Sequence, residues 1–194
     1  TTNIIQSLKK LEYRGYDSAG LATLNKNLIN EKKCSGRVEK LEEILFKSPA
    51  EGNLGIGHVR WATHGIPNKI NAHPHSSEIV SVVHNGIIEN SNELKKELET
   101  EGLKFKSQTD TEVITLLITK FLDNMSPLEA VFKTLTKLKG SFALGIIFKD
   151  FHNMIIGARR GSPLAVGYSK NENYLGSDSY ALKSMTNKIS YLDD

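Results

Sequence analysis

The stretch Ile79-Val80-Ser81-Val82-Val83-His84-Asn85-Gly86 decides how the rest of this chain is read. Its first five residues form the nearly continuous apolar, β-branched run of a buried strand, which passes straight into a histidine, an asparagine and a glycine. Three helices follow, each with a start signal. Asn90 with Glu93 and Thr109 with Glu112 have capping-box spacing, and Ser126-Pro127-Leu128-Glu129 adds a proline at the first helical position. After Gly140 the pattern turns to strands over residues 142–148, 154–158, 164–168 and 174–176, then a short helix over 179–185 and a last strand over 189–192. Upstream, Ile4, Ile5, Leu8 and Leu11 recur at helical spacing, and Gly15 is expected to close that helix with a left-handed cap. Strand-like runs over 20–24 and 28–33 flank the turn Asn25-Lys26-Asn27, a helix is expected over 37–46, and a strand over 54–61. Helices grouped between blocks of strands predict one α+β domain spanning 1–194 rather than a doubly wound sheet.

Composition narrows the function classes. The 194 residues carry 25 Lys and Arg against 22 Asp and Glu, a formal charge of +3 with the histidines neutral. That balance is too even, and its basic residues too scattered, to expect a nucleic-acid partner. No apolar run approaches the roughly 18 residues of a membrane helix, so no membrane partner is expected either. A lone cysteine, Cys34, excludes an internal disulfide and fits a reducing, cytoplasmic setting.

Four features carry candidate chemistry. In Gly57-His58-Val59-Arg60-Trp61-Ala62-Thr63-His64-Gly65, an arginine at a strand end beside loop donors suits a small-molecule carboxylate, and equally a surface ion pair. His84-Asn85-Gly86 presents a carboxamide and a main-chain N–H close together, the donor pair of an oxyanion hole, but Asn-Gly is also a common tight turn. Asp110, in Thr109-Asp110-Thr111-Glu112, is either a helix-capping acid or a partner for a substrate ammonium. Five of the six histidines fall between positions 58 and 84, and His73-Pro74-His75 has a spacing that could hold zinc. No carboxylate or cysteine completes a ligand set, so these are read as structural histidines with no metal. Cys34 is read as a small filler residue, and the basic turn Ala158-Arg159-Arg160-Gly161-Ser162-Pro163 as either a phosphate site or a plain turn.

Read together, these segments resemble a family. The run Leu11-Glu12-Tyr13-Arg14-Gly15-Tyr16-Asp17-Ser18-Ala19-Gly20 is similar to the opening of the glutaminase domain of glutamine–fructose-6-phosphate aminotransferases, which are class II glutamine amidotransferases. So are residues 57–65, 71–75, 83–90, 109–113 and 159–163, in order along the chain. The resemblance implies an N-terminal-nucleophile (Ntn) hydrolase sandwich, with two antiparallel sheets between helix layers. It implies glutamine as substrate, held by Arg60, Thr63 and His64 at its carboxylate end and by Asp110 at its amino group. Asn85 and Gly86 would form the oxyanion hole, Trp61 would gate ammonia passage, and Arg14 would support the active-site terminus. No cofactor is implied. The partner is a C-terminal sugar-phosphate isomerase domain, in a homodimeric enzyme that makes glucosamine 6-phosphate.

The same resemblance implies a nucleophilic N-terminal cysteine on a hydrophobic strand, whereas this sequence opens inside the first helix. The strand is therefore expected to be missing, leaving sheet edges exposed on both neighbours and the chain inactive by itself. Thr1 leads into a helix and Cys34 has no free α-amine, so neither substitutes. The isomerase domains are expected to be absent as well. Rival readings are another class II amidotransferase, serving purine or asparagine synthesis, a non-catalytic glutamine-binding module, and a histidine-based metalloprotein.

Overall fold

The hairpin around Lys26 and Asn27 is the simplest element to follow. In the computed structural model, which describes residues 1–61 and 65–194, strand β1 (Ser18–Asn25) turns into β2 (Leu28–Ser35) through these two residues at φ 46° and 62°. Two consecutive left-handed residues make the turn whose twist matches that of paired strands. Strand β3 (Leu54–Arg60) pairs antiparallel with the other edge of β1, placing Arg60 opposite Ser18. Helices α1 (Thr2–Leu11) and α2 (Val38–Lys47) cover one face of this sheet, burying Ile5, Leu8, Leu21, Val38 and Leu41.

A second antiparallel sheet runs β4-β5-β6-β7, formed by His75–Ser76, Val80–Ile88, Gly140–Phe148 and Ile155–Arg160. Helices α3 (Ser91–Thr100), α4 (Thr111–Leu122) and α5 (Pro127–Lys137) lie on its outer face. The largest core forms between them, with Val82, Leu98, Ile114, Leu117, Leu144 and Ile146 buried. The inner face packs on β1 and β3 through Ala22, Ile56 and Ile147. Strands β8 (Ala165–Tyr168), β9 (Asn173–Gly176) and β10 (Lys188–Tyr191) make a third sheet in the order β10-β8-β9, backed by α6 (Ser179–Leu182).

A side chain added at Gly145 in β6 would meet Leu175 of β9 at 3.6 Å and Ile56 of β3 at 3.8 Å. Both strands therefore lie over the same face of β6. The layers run helix, strand, strand, helix, and the outer strand layer is in two pieces. Among the described residues β3 and β9 each pair on one side only. This is the α+β class that the sequence pattern predicted and the sandwich that the resemblance implied, with one of its two strand layers divided into two sheets.

Local signals were overruled at several points. The left-handed cap at Gly15 does not form: a single 3-10 turn, Glu12–Arg14, follows α1, and Gly15 is extended at φ 170°. Glycine is needed there for closeness instead, since a Cβ would stand 2.6 Å from the Trp61 main-chain nitrogen. Of the three capping boxes, only Ser126 with Glu129 is built. The Asn90 carboxamide donates to the Lys137 carbonyl and accepts from the Lys139 N–H, each at 2.9 Å. Glu112 accepts from the N–H groups of Lys106 and Ser107 at 2.9 and 2.6 Å, and α4 begins at Thr111 behind Asp110.

Candidate active site

Strand ends deliver the polar groups to one place. Arg60 is the last residue of β3, Asn85 and Gly86 lie in the later half of β5, and Asp110 sits directly before α4. All four line a cavity of about 450 Å³ together with Trp61, His73 and Thr111, and β9 closes it with Tyr174 and Leu175. Among the described residues β3 and β9 are each at a sheet edge, and residues of both strands line this same cavity.

Arg60 is only 4% exposed, which excludes the surface ion-pair reading. Burial pushes its guanidinium below the ordinary range, while the charges of Asp110 and Asp17 work against that shift. Asp110 does not cap α4 with its side chain. Its Oδ2 accepts from the Ile88 N–H at 2.9 Å, and its Oδ1 lies 3.9 Å from His84 Nδ1. The carboxylate is thereby turned towards β5, so the capping reading of this acid is corrected.

The Asn85-Gly86 pair is not a turn. Asn85 stands opposite Ala143 and Gly86 opposite Phe142, inside the β5–β6 ladder. Gly86 has φ 127°, and a Cβ there would lie 2.1 Å from the Ser141 carbonyl oxygen. Only glycine tolerates that backbone and that approach. The Asn85 Oδ1 accepts from His58 Nε2 at 2.9 Å.

Four histidines pack beside these residues. His73 and His84 share the Thr111 hydroxyl, at 2.7 Å through Nε2 and 3.0 Å through Nδ1. His75 Nε2 meets the Thr109 hydroxyl at 2.9 Å, and the His58 and His73 rings stack with centroids 4.4 Å apart. Burial holds His58 down at about 4 and His75 at about 3, and His73 well below the usual range. His58, His73 and His75 are therefore neutral at physiological pH. Their hydrogen bonds run to threonine hydroxyls and to Asn85. Among the described residues no group of three or more His, Cys, Asp or Glu is arranged to hold a metal.

The remaining candidates divide. Trp61 is exposed at the cavity, edge-on to Tyr16 with ring centroids 6.1 Å apart, and Arg14 lines the cavity with Nη1 3.4 Å from Ser177 Oγ. Thr63 and His64 lie outside the described residues. Cys34 is buried in the core beneath α2, its thiol 3.7 Å from the Arg37 carbonyl and pushed up by burial. It lines no part of the cavity, as a filler residue should not. In the basic turn, Arg159 donates to the Ser162 carbonyl at 2.7 Å and pairs with Asp194 at 2.9 Å, and Arg160 donates to the Leu138 carbonyl at 2.9 Å. Both guanidiniums are engaged within the chain, which removes the support for a phosphate site. What reading the sequence missed is the contact between His58 and Asn85. Its one signal was position, because His58 precedes Arg60 by two and shares its face of the strand.

A family profile described as the glutamine amidotransferase domain matches residues 59–184. The chain belongs to this family. It is 51% identical over 98% of its length to the glutamine–fructose-6-phosphate aminotransferase (isomerizing) of Mesorhizobium japonicum, and covers 32% of that protein. The corresponding protein of Bartonella henselae is 50% identical over 100% of this chain, again with 32% of the relative covered. The chain thus spans about a third of the length of the curated relatives it matches. Among solved structures, the glutamine phosphoribosylpyrophosphate amidotransferase of B. subtilis complexed with ADP and GMP aligns over 98% of the chain and 42% of its own, with TM-score 0.83 and 26% identity. The architecture of this glutamine amidotransferase domain is accordingly the Ntn hydrolase sandwich. Among the described residues, no helix is long and apolar enough to cross a membrane.

Proposed function

We propose that this domain hydrolyses the side-chain amide of L-glutamine and supplies the ammonia for converting fructose 6-phosphate to glucosamine 6-phosphate. The observation that carries the reading is a single cavity walled by a buried guanidinium, a carboxylate and an oriented carboxamide. Arg60 takes the glutamine α-carboxylate in its planar fork and Asp110 takes the α-ammonium, so the two together select a free amino acid. The side-chain amide then reaches Asn85 and Gly86. A thiolate attacks the amide carbon, and the Asn85 carboxamide and the Gly86 N–H stabilise the oxyanion. The C–N bond breaks, ammonia leaves with a transferred proton, and water cleaves the γ-glutamyl thioester to glutamate and thiol.

Cys34 is too far into the core to be that thiol. The edges of β3 and β9 offer main-chain partners to one more strand along the cavity, and we place the nucleophile at the start of such a strand. By the family resemblance, Thr63 and His64 would add contacts to the glutamine, Trp61 would gate ammonia passage, and Arg14 would support the terminus. The sugar-phosphate isomerase partner, homodimeric assembly and cytoplasmic location follow from the resemblance to the aminotransferases. The need for no cofactor rests on the same resemblance.

The test is glutamate release from glutamine by the full-length protein. Asn85→Ala should lower kcat by roughly 10²–10³ with little change in KM, because the ground-state amide oxygen is not yet in the hole. Full turnover in that variant would overturn the assignment, and binding of glutamine with no turnover by the wild type would favour a non-catalytic module.

A further inference from the structure

His58 and Asn85 meet across the seam between β3 and β5, with Nε2 to Oδ1 at 2.9 Å. A carboxamide oxygen only accepts, so the imidazole donates from Nε2, and a neutral ring then carries a bare lone pair on Nδ1. Among the described residues, the buried His58 Nδ1 has no hydrogen-bond partner. A buried lone pair is easier to leave alone than a buried N–H. The ring is held in place by its stack on His73, which is itself anchored on the Thr111 hydroxyl.

An asparagine side chain has two orientations of similar shape, with oxygen and nitrogen exchanged. Facing the cavity with nitrogen, it is a donor for a developing oxyanion; facing it with oxygen, it repels the same charge. Among the described residues, His58 is the hydrogen-bond partner of that carboxamide. We propose that His58 is a positioning residue for the oxyanion site, donating from Nε2 to Asn85 Oδ1 so that the amide nitrogen of Asn85 faces the cavity. This rests on the oxyanion role of Asn85 argued above.

The effect belongs to the transition state. Losing the His58 donor leaves Asn85 in place but lets it turn, which costs less than losing Asn85 itself.

The experiment uses the full-length protein and its glutaminase rate. His58→Phe keeps an aromatic ring and removes the donor; kcat should fall by about 10- to 100-fold with KM within about twofold. His58→Gln, whose amide can still donate, should recover most of the rate. In an Asn85→Ala background, His58→Phe should bring no further loss, because the group it orients is gone. An unchanged kcat in His58→Phe, a KM that rises in step with the loss, or the same loss in the Asn85→Ala background would each overturn the proposal. The wild-type protein gives an independent reading that needs no variant to fold: long-range ¹H–¹⁵N NMR should show the His58 proton on Nε2, and a proton on Nδ1 would overturn the proposal. Failure of the parent reading looks different, namely a wild type without turnover or an Asn85→Ala variant without loss.

Discussion

Strand β6 buries every residue from Phe142 to Phe148 between three helices on one side and strands on the other. Strand β3, in the neighbouring layer, buries two of its seven residues and presents Gly55, Gly57 and His58 to a cavity. The same antiparallel pairing thus serves two purposes. The β4–β7 layer closes its ladder and concentrates apolar side chains, whereas the outer strand layer parts between β3 and β9 and leaves room for a ligand. Chemistry needs polar groups held still without being covered. Here Asn85 and Asp110 are anchored on the well-packed layer and line the cavity beside it.

Truncation in the two layers should break or sharpen that contrast. Ile146→Ala, within the core under α4, should cost about 2–5 kcal/mol, because the helices above cannot collapse into the gap. Ile56→Ala, at the cavity wall, should fall at the low end of that range. Urea midpoints measure both, and equal losses would show that the layers are packed alike. Next in size is Arg60→Lys in the full-length protein, which replaces a bidentate fork by a point charge. Glutamine KM should rise by the equivalent of about 1.5–3 kcal/mol, and an unchanged KM would take Arg60 out of the site.

The smallest effect per step is acid sensitivity. Histidines of the unfolded chain titrate near 6.5, and burial holds His58 at about 4 and His75 at about 3 in the fold. Between those values the unfolded state binds more protons, so stability is full above pH 6.5 and declines as pH falls towards 4. Each histidine should contribute about 1.4 kcal/mol per pH unit across that window. Urea unfolding from pH 7.5 to 4.5 reads the slope, and a flat profile between 6.5 and 5 would show that these rings are not buried as neutral groups.

Much of this was legible along the chain. Helical spacing, helix-start signals and strand-like runs together located every helix and nearly all strands, since the apolar pattern is set by which face meets the core. The Lys26-Asn27 turn and the Ser126 capping box were local enough to be read without a fold. Asn90 and Glu112 were not, because the fold gave their side chains to main-chain groups elsewhere: Lys137 and Lys139 for Asn90, Lys106 and Ser107 for Glu112. Cap spacing is necessary for a capping box, but a stronger tertiary partner can claim the same side chain.

The site shows the same division. The residue types of the site were determined by the sequence alone: an arginine at a strand end, an Asn-Gly pair, an acid before a helix. It left each with two readings, because a turn, an ion pair and a cap use the same short patterns as substrate recognition. Tertiary structure removed the local readings. Pairing Asn85 with Ala143, a partner 58 positions away, put Asn-Gly inside a ladder, and burial of Arg60 removed it from the surface. Contact between His58 and Asn85 joins strands 27 positions apart in sequence, so no local pattern encodes it. Short-range preferences fix elements, while the direction in which a carboxamide faces is settled only when distant strands meet.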